Sequence, residues 1–426
     1  MLKRFTIFLK RPTSVNILIN TFGNYLNTAF TAVFALILVR AMTPVEYGVL
    51  GVLLGVSYVL ANIFDFGTTA TIYSYLPAML EKRTQNLYNF IKTLFVYQTS
   101  FAAVSIAILL FSFSWLDKYF FKTGADQVTV YLVFLGVIFF IWQNFVSNVL
   151  LAGKNFFRVN LYVNISNLAK LAMLAVLVSR GAISPTSVVL VFSVLGSVAF
   201  FIPLLFEKRS AIWSVINSRF DKSELKFGYT LTYFLSTQLY NLALRMDLFM
   251  LSFFGLRVEV GYYALAQKII LSILTSVISI TQVLSPLFSK AQTKRDVKAL
   301  LKPGLMYLSA PAALFVILYF LPNELFTILF TDRFSQATGI AKSLAIPFVI
   351  FTYSNFLLIF ALYTLKKPKY VLLSNVIFFI GMSAGCFVLI PKLGVYAPAW
   401  VITASLVVSS LSLGVSSLYG YKKLPE

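Results

Sequence analysis

The chain has 426 residues, of which 59% are hydrophobic and only 12% are charged, and its mean hydropathy is +0.86. Soluble domains carry roughly 25% charged residues, so this composition excludes a soluble protein and predicts a polytopic membrane protein. The chain has no histidine and one cysteine, Cys386, which excludes an intramolecular disulfide and removes the commonest zinc ligand and general base. We therefore expect neither a metal site nor an enzyme.

The N-terminal stretch MLKRFTIFLKRPTSV is basic and lacks an apolar core followed by a small-residue cleavage site. We interpret it as a retained cytoplasmic segment along the inner membrane surface rather than as a signal peptide. Apolar runs long enough to cross a hydrocarbon core of about 30 Å as helices follow along the whole chain. The twelve predicted spans are residues 14–39, 46–70, 93–115, 128–151, 161–179, 186–206, 228–254, 262–286, 304–322, 339–364, 371–390 and 396–418.

Lysine and arginine concentrate in every second loop between these spans. With the N-terminus inside, the pairs Lys82 with Arg83 and Lys366 with Lys367 both fall on the cytoplasmic side. This pattern predicts a multi-pass protein with both termini in the cytoplasm. The net charge of +21 is then a basic cytoplasmic rim facing anionic lipid, and we expect no nucleic-acid partner.

An internal repeat is indicated by the tetrapeptide VEYG at residues 45–48, which matches VEVG at residues 258–261. Each lies in the turn between the first two spans of its half. The match predicts two six-helix lobes, residues 1–213 and 214–426. Because six crossings return the chain to its starting side, the lobes should be parallel repeats related by an axis along the membrane normal, around a central cavity.

Polar side chains form stripes at helical spacing in several spans. Such stripes either join neighbouring helices, at about 0.6 kcal/mol per hydrogen bond, or face a water-filled lumen, the interpretation we favour for stripes of full span length. Spans 1, 5 and 8 carry such stripes, and the stripe of span 8 starts with Lys268. The stripes of spans 1 and 5 supply the candidate substrate-binding residues Asn20, Asn24, Asn27, Asn164, Asn167 and Lys170.

The seventh span carries two charges, Arg245 and Asp247, in the run LALRMDLFML. Residues two apart on a helix point about 200° apart, so these two side chains do not pair with each other and each needs a different neighbour. A charge near the middle of a bilayer costs about 2.5 to 3.5 kcal/mol and is usually partnered or functional. One alternative is a structural ion pair of Arg245 with Asp65.

The other alternative is a cationic site for an anionic substrate. Arg245 continues a helical face with Gln238 and Asn241. Lys170 and Lys268 would be its further cations, because cations outnumber carboxylates within the spans. The sequence leaves these two alternatives open.

Four segments together resemble the Wzx-type polysaccharide-repeat flippases of the multidrug/oligosaccharidyl-lipid/polysaccharide exporter superfamily. The most specific segment is the Arg-x-Asp span that ends in Gly-Tyr-Tyr-x-Leu-Ala. The last segment departs from the family pattern, because Tyr396 to Pro398 stand where a small Gly-Ala pair is more usual. The segments are LVRAMTPVEYGVLGVLLGV (38–56), DFG (65–67), RMDLFMLSFFGLRVEVGYYALAQKI (245–269) and LIPKLGVYAPAW (389–400).

The resemblance implies a twelve-helix, two-lobed carrier of the bacterial inner membrane that moves undecaprenyl-diphosphate-linked oligosaccharides from the cytoplasmic to the outer leaflet by alternating access. Such transport serves the synthesis of O-antigen, capsule or exopolysaccharide, with other assembly proteins and membrane lipid as partners. Asp247 and Asp65 are the candidates for binding a coupling proton or sodium ion, and no other cofactor is expected.

Two other functions remain open. An ion-coupled drug or metabolite extruder of the same superfamily would be expected to carry a carboxylate in its first helix or a mainly acidic cavity. A membrane glycan polymerase or ligase would need a large outer loop with catalytic groups, whereas the longest here offers only Glu324, Asp332 and Arg333. The sequence has no GxxxxGK[ST] motif for direct use of a nucleotide.

Overall fold

A computed structural model describes residues 12–81, 86–153, 155–206, 209–222 and 227–426; the predicted N-terminal segment up to residue 11 and the pair Lys82 with Arg83 lie outside this part. The described residues are helical almost throughout, and no strand occurs among them. The α-helices are α1 Pro12–Ala41, α2 Pro44–Asp65, α3 Thr68–Glu81, α4 Leu87–Leu116, α5 Gln127–Ala152, α6 Phe156–Ser179, α7 Pro185–Val189, α8 Gly196–Phe201, α9 Arg209–Asn217, α10 Phe227–Phe253, α11 Arg257–Lys290, α12 Lys294–Phe320, α13 Asn323–Phe330, α14 Gln336–Ile359, α15 Pro368–Leu393 and α16 Ala397–Lys422.

Within the described residues, ten helical segments are long and apolar enough to cross a membrane. This confirms the predicted fold class, an all-α multi-pass membrane protein. One of the ten, Pro368–Lys422, contains both α15 and α16, and α10 covers the seventh predicted span. The number of twelve spans and the repeat arrangement stay predictions.

The chain divides into two compact units that are discontinuous in sequence. The predicted lobes, 1–213 and 214–426, stay a prediction, and the last boundary between the units lies at residues 234 and 235. The N-terminal unit comprises the described residues up to Ala41, Val56–Leu116 and Ala125–Phe234; the C-terminal unit comprises Met42–Gly55, Asp117–Gly124 and Leu235–Glu426.

The two matching tetrapeptides meet in the C-terminal unit, where the first turns of α2 and α11 pack closely. A Cβ atom on Gly261 would lie 1.8 Å from the carbonyl oxygen of Pro44, and one on Gly48 would lie 2.8 Å from the backbone nitrogen of Gly261. One turn later, a Cβ on Gly51 would lie 2.7 Å from the Cβ of Ala264. Glycine is therefore required at this crossing because any side chain would separate the two backbones.

The second predicted span is interrupted, which the sequence pattern did not indicate. Helix α2 ends at Asp65, and α3 begins at Thr68 after two residues with positive φ, Phe66 at 43° and Gly67 at 78°. The Asp65 carboxylate accepts hydrogen bonds from the hydroxyl groups of Thr68 and Thr69, each at 2.8 Å, and from the backbone N–H of Thr69 at 3.3 Å. Asp65 thus caps the N-terminus of α3.

Three π-helical segments interrupt or extend α-helices: Asp117–Phe121, Leu190–Leu195 and Phe360–Thr364. The second divides the sixth predicted span into α7 and α8. Such insertions occur frequently at functional sites, because they turn side chains away from the regular helical spacing. This one faces the lysine described next.

Candidate functional site

Lys170 of α6 lies against the π-helical segment in the N-terminal unit. Its ammonium nitrogen is 5.9 Å from the centre of the Phe192 ring, and its alkyl chain occupies the space that a side chain at position 196 would fill. A Cβ on Gly196 would lie 2.1 Å from the Cε of Lys170. The hydroxyl of Ser166, one turn earlier on α6, donates to the carbonyl of Gly196 at 2.6 Å. The absent side chain at 196 therefore makes room for the lysine.

The Lys170 side chain is partly buried, yet no carboxylate or hydrogen-bond acceptor of the described residues contacts its ammonium group. A partly buried ammonium without such a partner is costly, and the contact with an aromatic ring compensates for only about 0.5 to 2 kcal/mol. An anionic ligand would satisfy this group.

The predicted asparagine stripes of α1 and α6 meet each other. The side-chain amide of Asn167 donates to the side-chain oxygen of Asn27 at 2.8 Å. Further along, the Asn160 amide approaches the carbonyl of Ile19 at 3.4 Å, and a Cβ on Gly23 would lie 1.9 Å from the side-chain oxygen of Asn160. This part of the stripe joins helices, as the alternative interpretation expected, while the exposed Asn27 still borders open space.

The remaining predicted asparagines differ from one another. Asn164 donates to the carbonyl of Asn160 on its own helix at 2.7 Å, and its side-chain oxygen is buried without a hydrogen-bond partner. Asn24 is exposed, and its carbonyl accepts from Thr28. The side chain of Asn20 lies outside the described part of the structure.

The charges of the seventh predicted span belong to a hydrogen-bond network between α10 and α11 in the C-terminal unit. The Arg245 guanidinium donates to the side-chain oxygen of Gln267 at 2.8 Å. The amide nitrogen of Gln267 donates to both carboxylate oxygens of Asp247, at 3.1 and 3.0 Å. Asp247 also accepts from the Tyr263 hydroxyl at 2.5 Å and from the backbone N–H of Leu248 at 2.6 Å. Arg245 and Asp247 therefore share one neighbour, Gln267, which the sequence interpretation did not expect.

A small cavity lies beside this network and takes in the buried Asp247, Tyr263 and Gln267 side chains. Its volume for the centre of a water-sized molecule is about 10 Å³, which suits one water or one small cation. Among the described residues, no group of three acidic or cysteine side chains forms a metal site. The other lining residues are apolar: Leu244, Ile270, Leu271, Leu344, Phe348, Phe378, Met382 and Ile402.

The other predicted members of the cationic site in the C-terminal unit lie on α10 and α11, the two helices of the Arg245 network. Gln238 and Asn241 precede it by two turns and one turn on α10, and both are partly buried. Lys268 follows Gln267 on α11 and is close enough to Arg245 for the two positive charges to repel each other. The C-terminal unit thus carries two predicted cations and two predicted amides on α10 and α11.

Asp65, the second predicted ion-coupling residue, lies in the N-terminal unit. Besides capping α3, its carboxylate is approached by the side-chain nitrogen of Gln98 at 3.4 Å, and the side-chain oxygen of that buried glutamine has no hydrogen-bond partner. Because Asp65 and Arg245 belong to different units, their ion pair stays a prediction.

The sequence interpretation missed three residues that shape these sites. Tyr263 and Gln267 lie four positions apart on one face of α11, within the segment that carries the family resemblance, so their spacing was a usable signal. Gly196 gave no comparable signal, because its role depends on where Lys170 lies.

A family profile described as "Polysaccharide biosynthesis protein" matches residues 14–292, well over half of the chain. The protein belongs to this family. Three solved structures share its fold. No curated protein sequence matches the chain.

The first of these structures is the lipid II flippase MurJ in an inward closed conformation, with a TM-score of 0.72, 14% identity, and coverage of 96% of this chain and 89% of that one. The second is an inward-facing multidrug resistance MATE family transporter, with a TM-score of 0.73, 11% identity, and coverage of 96% and 99%. The third is the MATE multidrug transporter DinF-BH, with a TM-score of 0.68, 15% identity, and coverage of 97% of both chains. At these identities the likeness concerns the fold.

Proposed function

We propose that the protein flips undecaprenyl-diphosphate-linked oligosaccharide repeat units from the cytoplasmic to the outer leaflet of a bacterial inner membrane by alternating access. The units would serve O-antigen, capsule or exopolysaccharide synthesis, and both termini would be cytoplasmic. The observation that carries the proposal is the ammonium group of Lys170, which has no polar partner among the described residues. The chain that contains it belongs to the polysaccharide biosynthesis family.

The positive charges within each of the two units favour an anionic cargo. Lys170 in one unit and Arg245 with Lys268 in the other supply three cations, and a diphosphate presents oxygen acceptors that suit the planar guanidinium and the ammonium groups. An inside-negative potential would assist the outward movement of each negative charge by about 2.3 kcal/mol per 100 mV. A coupling ion would then supply only part of the driving force.

The amide side chains would bind the sugars. An amide offers both donors and acceptors, as sugar hydroxyls require. The buried side-chain oxygen of Asn164 lacks a hydrogen-bond partner, and the exposed Asn24 and Asn27 border open space. With them we propose Asn20, Asn167, Gln238 and Asn241 as sugar-contacting residues.

The test is translocation of a fluorescent undecaprenyl-diphosphate oligosaccharide in proteoliposomes. We expect Lys170→Ala and Arg245→Ala each to lower the rate at least tenfold at equal amounts of folded protein. Lys342→Ala is the matched control, because this lysine is already paired with the side-chain oxygen of Asn323 at 2.7 Å. Full transport by the first two variants, or an equal loss in the control, would contradict the role of these cations.

A second candidate function is an ion-coupled extruder of drugs or metabolites. The observation in its favour is the MATE transporter fold, together with a carboxylate, Asp247, that faces a small cavity. The same proteoliposomes distinguish the two functions. Efflux of a cationic dye driven by a sodium or proton gradient, without movement of the lipid-linked oligosaccharide, would establish the second function.

We also propose that Asp247 or Asp65 binds a coupling proton or sodium ion. Asn is the matched substitution at both positions, because it removes the charge and still accepts the hydrogen bonds of Tyr263 at one site and of the α3 N-terminus at the other. We expect one variant to retain transport and to lose its response to an imposed ion gradient. Unchanged gradient dependence in both would exclude this role.

A further inference from the structure

Gln267 hydrogen-bonds both charges of the seventh predicted span. Its amide has an acceptor end, which receives the Arg245 guanidinium, and a donor end, which binds the Asp247 carboxylate. Guanidinium groups only donate, and ionised carboxylates only accept. The amide therefore fits between them in one orientation, and the reverse orientation would leave two donors facing each other and two acceptors facing each other.

We infer that Gln267 is a positioning residue that fixes the Arg245 guanidinium for an anionic ligand, and that Asp247 in turn fixes Gln267. This inference rests on the proposed function for the identity of the ligand, whereas the link from Asp247 through Gln267 to Arg245 stands on the contacts alone. A guanidinium carries five N–H donors in a planar fork, so a bond from one of its nitrogens to Gln267 is compatible with a bidentate contact with a diphosphate.

Gln267 makes more hydrogen bonds to Asp247 than to Arg245, so Asp247 determines the position of the Gln267 side chain. Gln267 donates to both oxygens of Asp247 and also approaches the carbonyl of Leu244 at 3.3 Å. The cavity beside the network takes in Asp247, Tyr263 and Gln267. A proton or cation that reached Asp247 there would compete with the amide of Gln267, and release of the amide would loosen Arg245. Binding of a coupling ion at Asp247 would in this way change the position of Arg245, the cation proposed to bind the substrate.

The first test measures binding of farnesyl diphosphate, a short isoprenoid diphosphate, to the purified full-length chain. Gln267→Leu should weaken binding by about three- to tenfold, because the Arg245 side chain loses one constraint and must be ordered on binding. Gln143→Leu is the matched control, since it makes the same substitution at a buried glutamine of the N-terminal unit that has no part in this network, and it should change affinity less than twofold. In an Arg245→Lys background, which lacks the planar fork, Gln267→Leu should have no further effect.

The second test needs no substrate. Modification of Arg245 by phenylglyoxal, followed by mass spectrometry of its peptide, reports how firmly the guanidinium is held. We expect several-fold faster modification in Gln267→Leu than in the unmodified protein or in Gln143→Leu. If the unmodified protein fails to bind farnesyl diphosphate, the proposed function is contradicted, and this measurement alone decides the positioning role.

A paired exchange covers the case in which Gln267→Leu does not fold. Gln267→Glu with Asp247→Asn keeps the total charge and reverses the hydrogen bond between the two positions, because the new carboxylate accepts from both Arg245 and the new amide. The double variant should regain the slow modification of Arg245 and the melting temperature that Gln267→Glu alone loses. Absence of rescue, or an equal effect of Gln267→Leu on binding with and without the Arg245→Lys substitution, would overturn the inference.

Discussion

Lys170 of the N-terminal unit and Arg245 of the C-terminal unit are both basic side chains within apolar helices, and their surroundings differ. The Lys170 ammonium faces the Phe192 ring and lies beside Gly196. The Arg245 guanidinium is part of a hydrogen-bond network that contains a carboxylate two contacts away. The difference indicates two uses of a charge in a membrane. A ligand would supply the hydrogen-bond partner that the Lys170 ammonium lacks among the described residues, whereas Gln267 positions Arg245 before any ligand binds.

The largest effect on stability is expected when the network of the C-terminal unit loses its carboxylate. Asp247→Leu would leave the Tyr263 hydroxyl and the Gln267 amide without their charged acceptor in a buried site. Removing one member of such a buried arrangement costs about 3 to 5 kcal/mol, so the melting temperature of the purified protein should fall strongly. Asp247→Asn, which still accepts hydrogen bonds, should lose much less. Equal losses in both would mean that charge, rather than hydrogen bonding, stabilises the site.

A smaller loss is expected from a methyl group beside Lys170. In Gly196→Ala the new Cβ would lie 2.1 Å from Cε and 2.6 Å from Cγ of the lysine, so the side chain has to move. Overpacking of this kind costs about 1 to 3 kcal/mol. Transport should also fall, although the charge is retained. Gly414→Ala is the control, because the nearest atom to its new Cβ is 3.7 Å away; normal transport in Gly196→Ala would show that the exact position of the ammonium is unimportant.

The same two sites show how far sequence reasoning reaches. Hydropathy predicted an all-α multi-pass protein, because lipid imposes long apolar helices. Contacts between distant segments were not predictable. Gly196 has meaning only through the lysine that occupies its space.

The break at Asp65 escaped prediction for a local reason. The run from α2 into α3 is largely apolar, and hydropathy is insensitive to two residues with positive φ. The DFG triplet at residues 65–67 was noted for its resemblance, whereas its Asp and Gly are a helix cap and a left-handed residue. The sequence contains these two turn-forming residues, but hydropathy does not detect them.

Replacing each cation by methionine sharpens the comparison, because opposite signs are expected, at about 1 kcal/mol each on the scale of a single buried polar contact. Lys170→Met approximates the length of the side chain and removes a charge that has no hydrogen-bond partner among the described residues, so the protein should become more stable while transport falls. Arg245→Met removes the donor to Gln267 and should lower stability. Melting temperatures measured in one detergent decide between them. A change of the same sign in both variants would contradict the distinction between the two sites.

The smallest effect concerns the asparagine bond between α1 and α6. A double-mutant cycle of Asn27→Leu and Asn167→Leu should give a coupling of about 0.6 kcal/mol, the usual value for a hydrogen bond between membrane helices. The single change at the exposed Asn27 should cost little, since the buried Asn167 then loses one bond of modest strength. A coupling near zero would show that the two amides do not depend on each other for stability. In that case their bond is replaceable by a sugar hydroxyl at almost no cost, and Asn27 would belong with Lys170 as a group kept ready for a ligand rather than with the network of Arg245.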